Sequence, residues 1–267
     1  MADVHERAAT ELHAIVAQYS AGEAEVVTAY FQQPHTDEEN LDVLLRQMGR
    51  ELQTSNWLHN AVKMLEELDT SVDRHEFAGF LEHIAEETEH YCILADLAEW
   101  LAGRKLSADD LHKYVVYARW NPNAPAHLLR HDLLPEATKM VEVNKALVDA
   151  LGYERGTPVM RLSEGGGGGA YAECMSLSGN PFKDRLGAAM RRILQDEIHH
   201  GPERINGFAR DWVQTEEDRE VATNWLRQIM QQHLRVRNEI WRNPLSEERL
   251  AAIDRGEIAP YRMPATV

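Results

Sequence analysis

Two short elements carry the side chains best suited to metal chemistry, Glu87-Thr88-Glu89-His90 and Glu197-Ile198-His199-His200. Residues i and i+3 of an α-helix point the same way, so each element offers a carboxylate and an imidazole to one point in space. One such pair is common by chance in a Glu-rich chain and reads equally well as a helix face turned to water. Two of them, each interrupting an apolar seam, are harder to dismiss. Around the first, helical spacing picks out Phe80, His83, Glu87, His90, Leu94, Leu97 and Leu101; around the second, Leu186, Met190, Ile193, Glu197, His200 and Arg204. Ionisable groups in a bundle seam need ionic or metal partners, because an unpaired buried charge costs several kcal/mol or more. A pair of divalent cations is the simplest such partner.

The elements that must position these groups are helices almost throughout. Punctuation predicts a helix from Val4 to Phe31 ending near Pro34, a second from Asp37 to Leu68, and, after a turn at Asp69 to Asp73, a third ending at Gly103. The second and third form an antiparallel hairpin. A crossover follows, with a short helix after Ser107, a Pro-rich loop at Asn121 to Pro125, and a helix from Pro135 to Gly152. Thr157-Pro158 reads as an N-cap and first-turn proline opening a helix that ends near Ser178-Gly179. Asn180-Pro181 opens another reaching Trp212, and a last long helix covers Glu216 to Ile240. The Trp225 to Trp241 stretch, with Arg235 and Arg237, is expected to pack on the bundle or on a second copy of the chain. The fold class expected is all-α, one domain over residues 1–267, with a four-helix bundle at about 37–212 and additional N-terminal, crossover and C-terminal helices.

Hairpin geometry then nominates two further carboxylates. Groups meeting at one level of an antiparallel hairpin lie at similar distances from the turn. Measured from the Ser178-Asn180 turn, the partner of Glu197 is Glu164; Glu173 lies too near the turn and half a helical turn away, which leaves it a supporting or exposed role. Measured from the Asp69–Asp73 turn, the ideal level for the partner of Glu87 is near Ser55, and the nearest acid on the right face is Glu51. Glu51 sits one turn off that level, a mismatch that a π-bulge or longer turn would absorb. His59 and Asn56 are weaker alternatives on less apolar faces.

The resulting set, Glu51, Glu87-x-x-His90, Glu164 and Glu197-x-x-His200, with Asp196 completing an Asp-Glu-x-x-His element, resembles the ferritin-like di-iron carboxylate superfamily over roughly residues 37 to 212. That group includes bacterial multicomponent monooxygenases, ribonucleotide reductase small subunits, acyl-carrier desaturases, rubrerythrins and arylamine N-oxygenases. The resemblance implies two Fe ions, with Mn the alternative, O₂ as co-substrate, Glu87 or Glu197 bridging the metals, and His90 and His200 binding one each. His83, four residues before Glu87, is either a further ligand or a core histidine bonded to a carboxylate. A third histidine also occurs in arylamine N-oxygenases, though beside the other Glu-x-x-His element.

The run Gly165 to Gly169, directly after Glu164, opposes helix formation by roughly 0.5 to 1 kcal/mol per glycine. It reads either as a distorted helix leaving volume for O₂ and an organic substrate, with Gly165, Gly168, Tyr171 and Met175 lining it, or as a flexible loop or close helix packing. Tyr171 and Met175 at helical spacing are also ordinary core. Arg204 is expected to pair with a ligand carboxylate or with Asp196, a surface ion pair being the plainer alternative.

Charge and composition limit the partners. A formal charge of −16 argues against nucleic acid or an anionic membrane, and four ligand carboxylates on two cations would offset part of it. Cys92 and Cys174 alone make neither a disulfide scaffold nor a Cys-based zinc site. No apolar leader and no run of 18 apolar residues is present, so a cytoplasmic location is expected. Carboxylate-rich coordination suits Fe and Mn, and the leading expectation is an O₂-dependent di-iron oxygenase or oxidase acting on a small organic molecule, with electrons from a separate donor where needed. A ferroxidase or peroxide-handling protein with the same metals is the first rival, and a non-enzymatic helical interaction protein the second.

Overall fold

The computed structural model describes residues 3–51, 55–114, 133–163 and 168–263, apart from the side chains of 55–60, 199, 200 and 202. Among these residues the chain is all-α, with eleven helices and no strand. Two compact units emerge, one of Met1–Pro34 with Glu136–Val267, the other of His35–Pro135. No described helix is long and apolar enough to cross a membrane.

The first unit is built on α1, Val4–Phe31. Every residue from Tyr19 to Ala24 is buried, so this helix is enclosed on all sides there. The small side chains of Ser20, Ala21, Gly22 and Ala24 explain why: neighbours approach its backbone closely, and a Cβ on Gly22 would stand 3.1 Å from Leu234 and 3.2 Å from Ile253. Against α1 pack α8 (Gly168–Met175), α9 (Pro181–Trp212) and α10 (Glu216–Ile240). The contacts His5 to Ala209, His13 to Asn206 and Phe31 to Phe182 run α9 antiparallel to α1. The pairs Glu11–Arg219, Glu23–Arg237 and Tyr30–Trp241 run α10 parallel to it. Most of the last two turns of α10 is buried, so one face of the Trp225 to Trp241 stretch belongs to the core of this unit, laid along α1. A helix absent from the sequence reading, α11 at Glu247–Asp254, starts on a Ser246 cap and adds Leu250 and Ile253 to the core.

Earlier in the chain come α6, Pro135–Leu151, and α7, Tyr153–Arg161, the latter packed on α9 and α10. Here the expected Thr157-Pro158 helix start is wrong. Gly152, at φ 77°, precedes the first residue of α7, and Pro158 lies inside the helix. The positive φ suits glycine alone, so backbone conformation outweighed the capping signal. The helix expected to continue to Ser178 instead stops at Arg161, and α8 resumes at Gly168.

In the second unit the long helix expected over Asp37 to Leu68 is described as α2, Asp37–Glu51, and α3, Ser55–Glu66. Both pack on α4, Arg74–Ala102, as the predicted hairpin requires. Asp73 caps α4 by accepting from the backbone N–H groups of His75 and Glu76, and Gly103 closes it in the left-handed region at φ 64°. Val43, Leu44 and Met48 of α2 and Leu94, Leu97 and Ala98 of α4 form the apolar core. The short α5, Ala108–Leu111, leads to Tyr114, whose backbone carbonyl would lie 2.5 Å from a Cβ on Gly49.

Candidate functional site

The seam of α4 turns polar at its centre, where His83, Glu87 and His90 follow one another on one face. His83 and His90 are buried at 8% and 1% exposure, and the Glu87 side chain retains 13%. From α2, buried Glu51 reaches the same place: one donor atom each from Glu51, Glu87 and His90 lies within 4.8 Å of the others, a group able to hold a metal ion. His90 Nδ1 stands 3.9 Å from a Glu87 oxygen, and His83 Nε2 stands 3.9 Å from the other. Those separations exceed a hydrogen bond. They are the roughly 3 to 4 Å expected between donors that share one cation at about 2.0–2.2 Å each. The donor set therefore fits a hard or borderline divalent cation: two carboxylates and an imidazole, removed from water, with a second imidazole beside them.

Gln47, one turn before Glu51, donates its side-chain amide to Glu51 Oε1 at 2.6 Å and thereby fixes the carboxylate. The sequence reading missed it. The signal was its i−4 position on the Glu51 face, which a glutamine at 2% exposure confirms as a placed, buried group. His83 Nδ1 also faces Glu86 at 3.7 Å.

The remaining predicted site residues belong to the first unit. Glu197 is half-buried on α9 and lines a cleft of about 190 Å³ with Gly168 of α8, His13 and Ser20 of α1, and Tyr261 and Met263 of the C-terminal segment. Asp196 accepts from Arg192 at 2.6 Å, one turn earlier on its own helix. Arg204 is half-buried on α9. Tyr171 is buried under the Arg237 guanidinium, 5.2 Å from its ring centre, and Met175 is half-buried near the end of α8. Glu173 accepts from Thr28 and from Tyr261. Burial and Glu173 push the Tyr261 phenol up to about 12. Glu164, Gly165 and the side chains of His200, His59 and Asn56 lie outside the described residues.

The first unit also buries an ionic cluster that the sequence reading did not foresee. Glu23, wholly buried on α1, bonds His233 Nδ1 at 2.5 Å and Arg237 Nε at 2.8 Å, both from α10. Burial opposes its charge, but Arg237 and His233 outweigh that and hold the carboxyl below the usual range. Arg237 in turn keeps its proton more firmly than a free guanidinium despite its burial, because Glu23 and Tyr171 face it. The i, i+4 spacing of His233 and Arg237 was legible, but their common partner on a helix more than two hundred residues away was not. Comparison with family models, curated proteins and solved structures gives no match.

Proposed function

We propose that this chain is an O₂-dependent di-iron oxygenase or oxidase of ferritin-like architecture that oxidises a small organic substrate. The observation that carries the reading is the convergence of Glu51, Glu87 and His90 from two helices on one buried point. Hairpin level and seam together point to Glu51, one turn off the ideal level, and its position beside the Glu-x-x-His pair supports the ligand pattern from which the rest follows. Glu51, Glu87 and His90 hold metal, with His83 a further ligand or the group that orients Glu87; Glu164, Glu197 and His200 are the further ligands that the sequence pattern nominates. When bound, Fe or Mn supplies the two electrons that reduce O₂ and so allows oxidation of an organic molecule held nearby. The chain's own part is to fix those donors. Gln47 orients Glu51, and the α4 seam sets His83, Glu87 and His90 in register, with Glu51 and His90 buried.

Elemental analysis after anaerobic Fe(II) loading and removal of excess metal tests the proposal. The expected result is about two Fe per chain, with oxygen uptake in the presence of a reductant. Less than half an equivalent of any transition metal would sink the metalloenzyme reading and leave the buried groups a structural role. Glu87→Ala is expected to lose both the metal and the oxygen uptake while its circular dichroism stays helical, because the apolar seam of α4 remains.

A further inference from the structure

On α4, Glu87 stands between two histidines on one face, and its two oxygens face different rings. His90 Nδ1 lies 3.9 Å from Oε2, and His83 Nε2 lies 3.9 Å from Oε1. We propose that Glu87 bridges two cations, one shared with Glu51 and His90, the other held on this hairpin by His83 Nε2. This rests on the metal reading of the site and not on the oxidation assigned to it.

The division follows from where the donors gather. Among the described residues, the donors found within 4.8 Å of one another are those of Glu51, Glu87 and His90. His83 stands apart from that group, beside the remaining Glu87 oxygen. Helix geometry gives the reason. His83 lies four residues before Glu87 and His90 three after, which spreads the two histidines over about 10 Å of helix axis at 1.5 Å per residue. Their rings therefore reach the carboxylate from opposite ends, and each meets the oxygen nearer to it. Two metals served by one carboxylate in this way sit about 3.5 to 4 Å apart in dinuclear sites.

Distance separates this arrangement from that of a histidine bonded straight to a carboxylate. Where the protein makes such a bond, His233 Nδ1 meets the buried Glu23 at 2.5 Å. The separations on either side of Glu87 are longer than a hydrogen bond, and they match donors that share a cation at about 2.0–2.2 Å each. The far side of the His83 ring adds an independent observation. Its Nδ1 faces the half-buried Glu86 carboxylate at 3.7 Å. A metal-binding histidine commonly turns its other ring N–H toward a carboxylate, which places the lone pair on the nitrogen that meets the metal. Glu86 occupies that outer place for His83. The two positions are unequal, since the hairpin gives three donors to the first and two to the second, so loading is sequential.

Titration of the full chain with Zn(II), followed by calorimetry and by the ring-nitrogen resonances of isotope-labelled histidine, tests the proposal. Two steps are expected, the tighter shifting a His90 ring nitrogen and the weaker shifting His83 Nε2. His83→Gln retains a side chain able to hydrogen-bond Glu87 but has no imidazole. Its weaker step should lose at least tenfold in affinity, with the tighter step and the helicity unchanged. Electron paramagnetic resonance of the Mn(II)-loaded chain should show a spin-coupled pair in wild type and an isolated ion in His83→Gln. A single step, two steps that leave the His83 ring unmoved, or a His83→Gln chain that loads as wild type does would overturn the proposal and leave His83 the group that orients Glu87. Absence of any Zn(II) binding by wild type would remove the metal reading and the bridge together. Two-step loading without oxygen uptake by the iron-loaded chain would uphold the bridge and remove the oxygenase alone.

Discussion

Glu51 and Glu23 are both buried carboxylates, and the difference between their partners decides what each does. Glu23 meets two cationic or proton-bearing groups from α10, whereas Glu51 meets an amide, a second carboxylate and an imidazole. The first arrangement is self-contained as an ion cluster; the second favours an added cation. Glu23→Gln therefore strands the buried Arg237 charge, for which about 3 to 5 kcal/mol of destabilisation is expected by chemical denaturation. Glu51→Gln keeps the bond from Gln47 within reach and removes a formal charge beside Glu87. It is expected to leave stability within about 1 kcal/mol of wild type while lowering metal affinity at least tenfold in a chelator competition. A loss of stability without loss of metal affinity would place Glu51 in the structural class with Glu23.

At the scale of elements, the glycines divide into those that make room and those that allow contact. A Cβ on Gly169 would lie 2.0 Å from the Ser20 carbonyl oxygen, so α1 and α8 approach backbone to backbone there. A Cβ on Gly168 meets the flexible end of Met263 at 2.9 Å and a Leu194 methyl at 4.0 Å. Gly169→Ala must push two helices apart and is expected to cost about 1 to 3 kcal/mol or more, while Gly168→Ala stays within about 0.5 kcal/mol. Thermal unfolding of the two neighbours compared side by side checks this. Close helix packing thus accounts for Gly169, one of the readings that the sequence left open for the run. For α4, Asp73→Ala removes the side chain that receives the N–H groups of His75 and Glu76, and a lower thermal midpoint is expected.

For the whole molecule, pH and metal are the variables that report the two buried clusters separately. Because Arg237 and His233 depress the Glu23 carboxyl, its contribution to stability is fully present above the ordinary glutamate value of about 4.3 and is lost as pH falls through its lower folded value. Wild-type stability should thus fall as pH drops below about 5, and Glu23→Gln should show a shallower fall from a lower plateau. Metal acts on the other cluster. A cation that binds only the folded chain, at a hundredfold excess over its dissociation constant, stabilises by about 2.7 kcal/mol. Melting with Mn(II) or anaerobic Fe(II), against the same protein in chelator, should show that increment. It should vanish in His90→Ala and persist in Glu23→Gln.

Local rules were sufficient for most elements whose signal and effect lie within one or two helical turns, though the Ser246 cap of α11 went unread. The bounds of α1, α9 and α10, the Asp73 and Asn180 caps and the Gly103 stop were all legible, since apolar period, cap chemistry and glycine conformation act over that range. The Glu87–His90 pair was legible for the same reason, and Glu51 nearly so, because hairpin geometry relates two helices through a countable turn. Pro158 marks the limit even of local reading: a proline tolerated in a first turn looks the same in sequence as one carried inside a helix. Tertiary structure alone decided that α1 lies at the centre of its unit, that α10 runs parallel to it, and that Glu23 meets His233 and Arg237. It alone laid Tyr261 and Met263 over the cleft at Glu197. Those pairings join residues far apart in the chain, and they are selected by how whole helix faces fit together, which no residue's immediate neighbours encode.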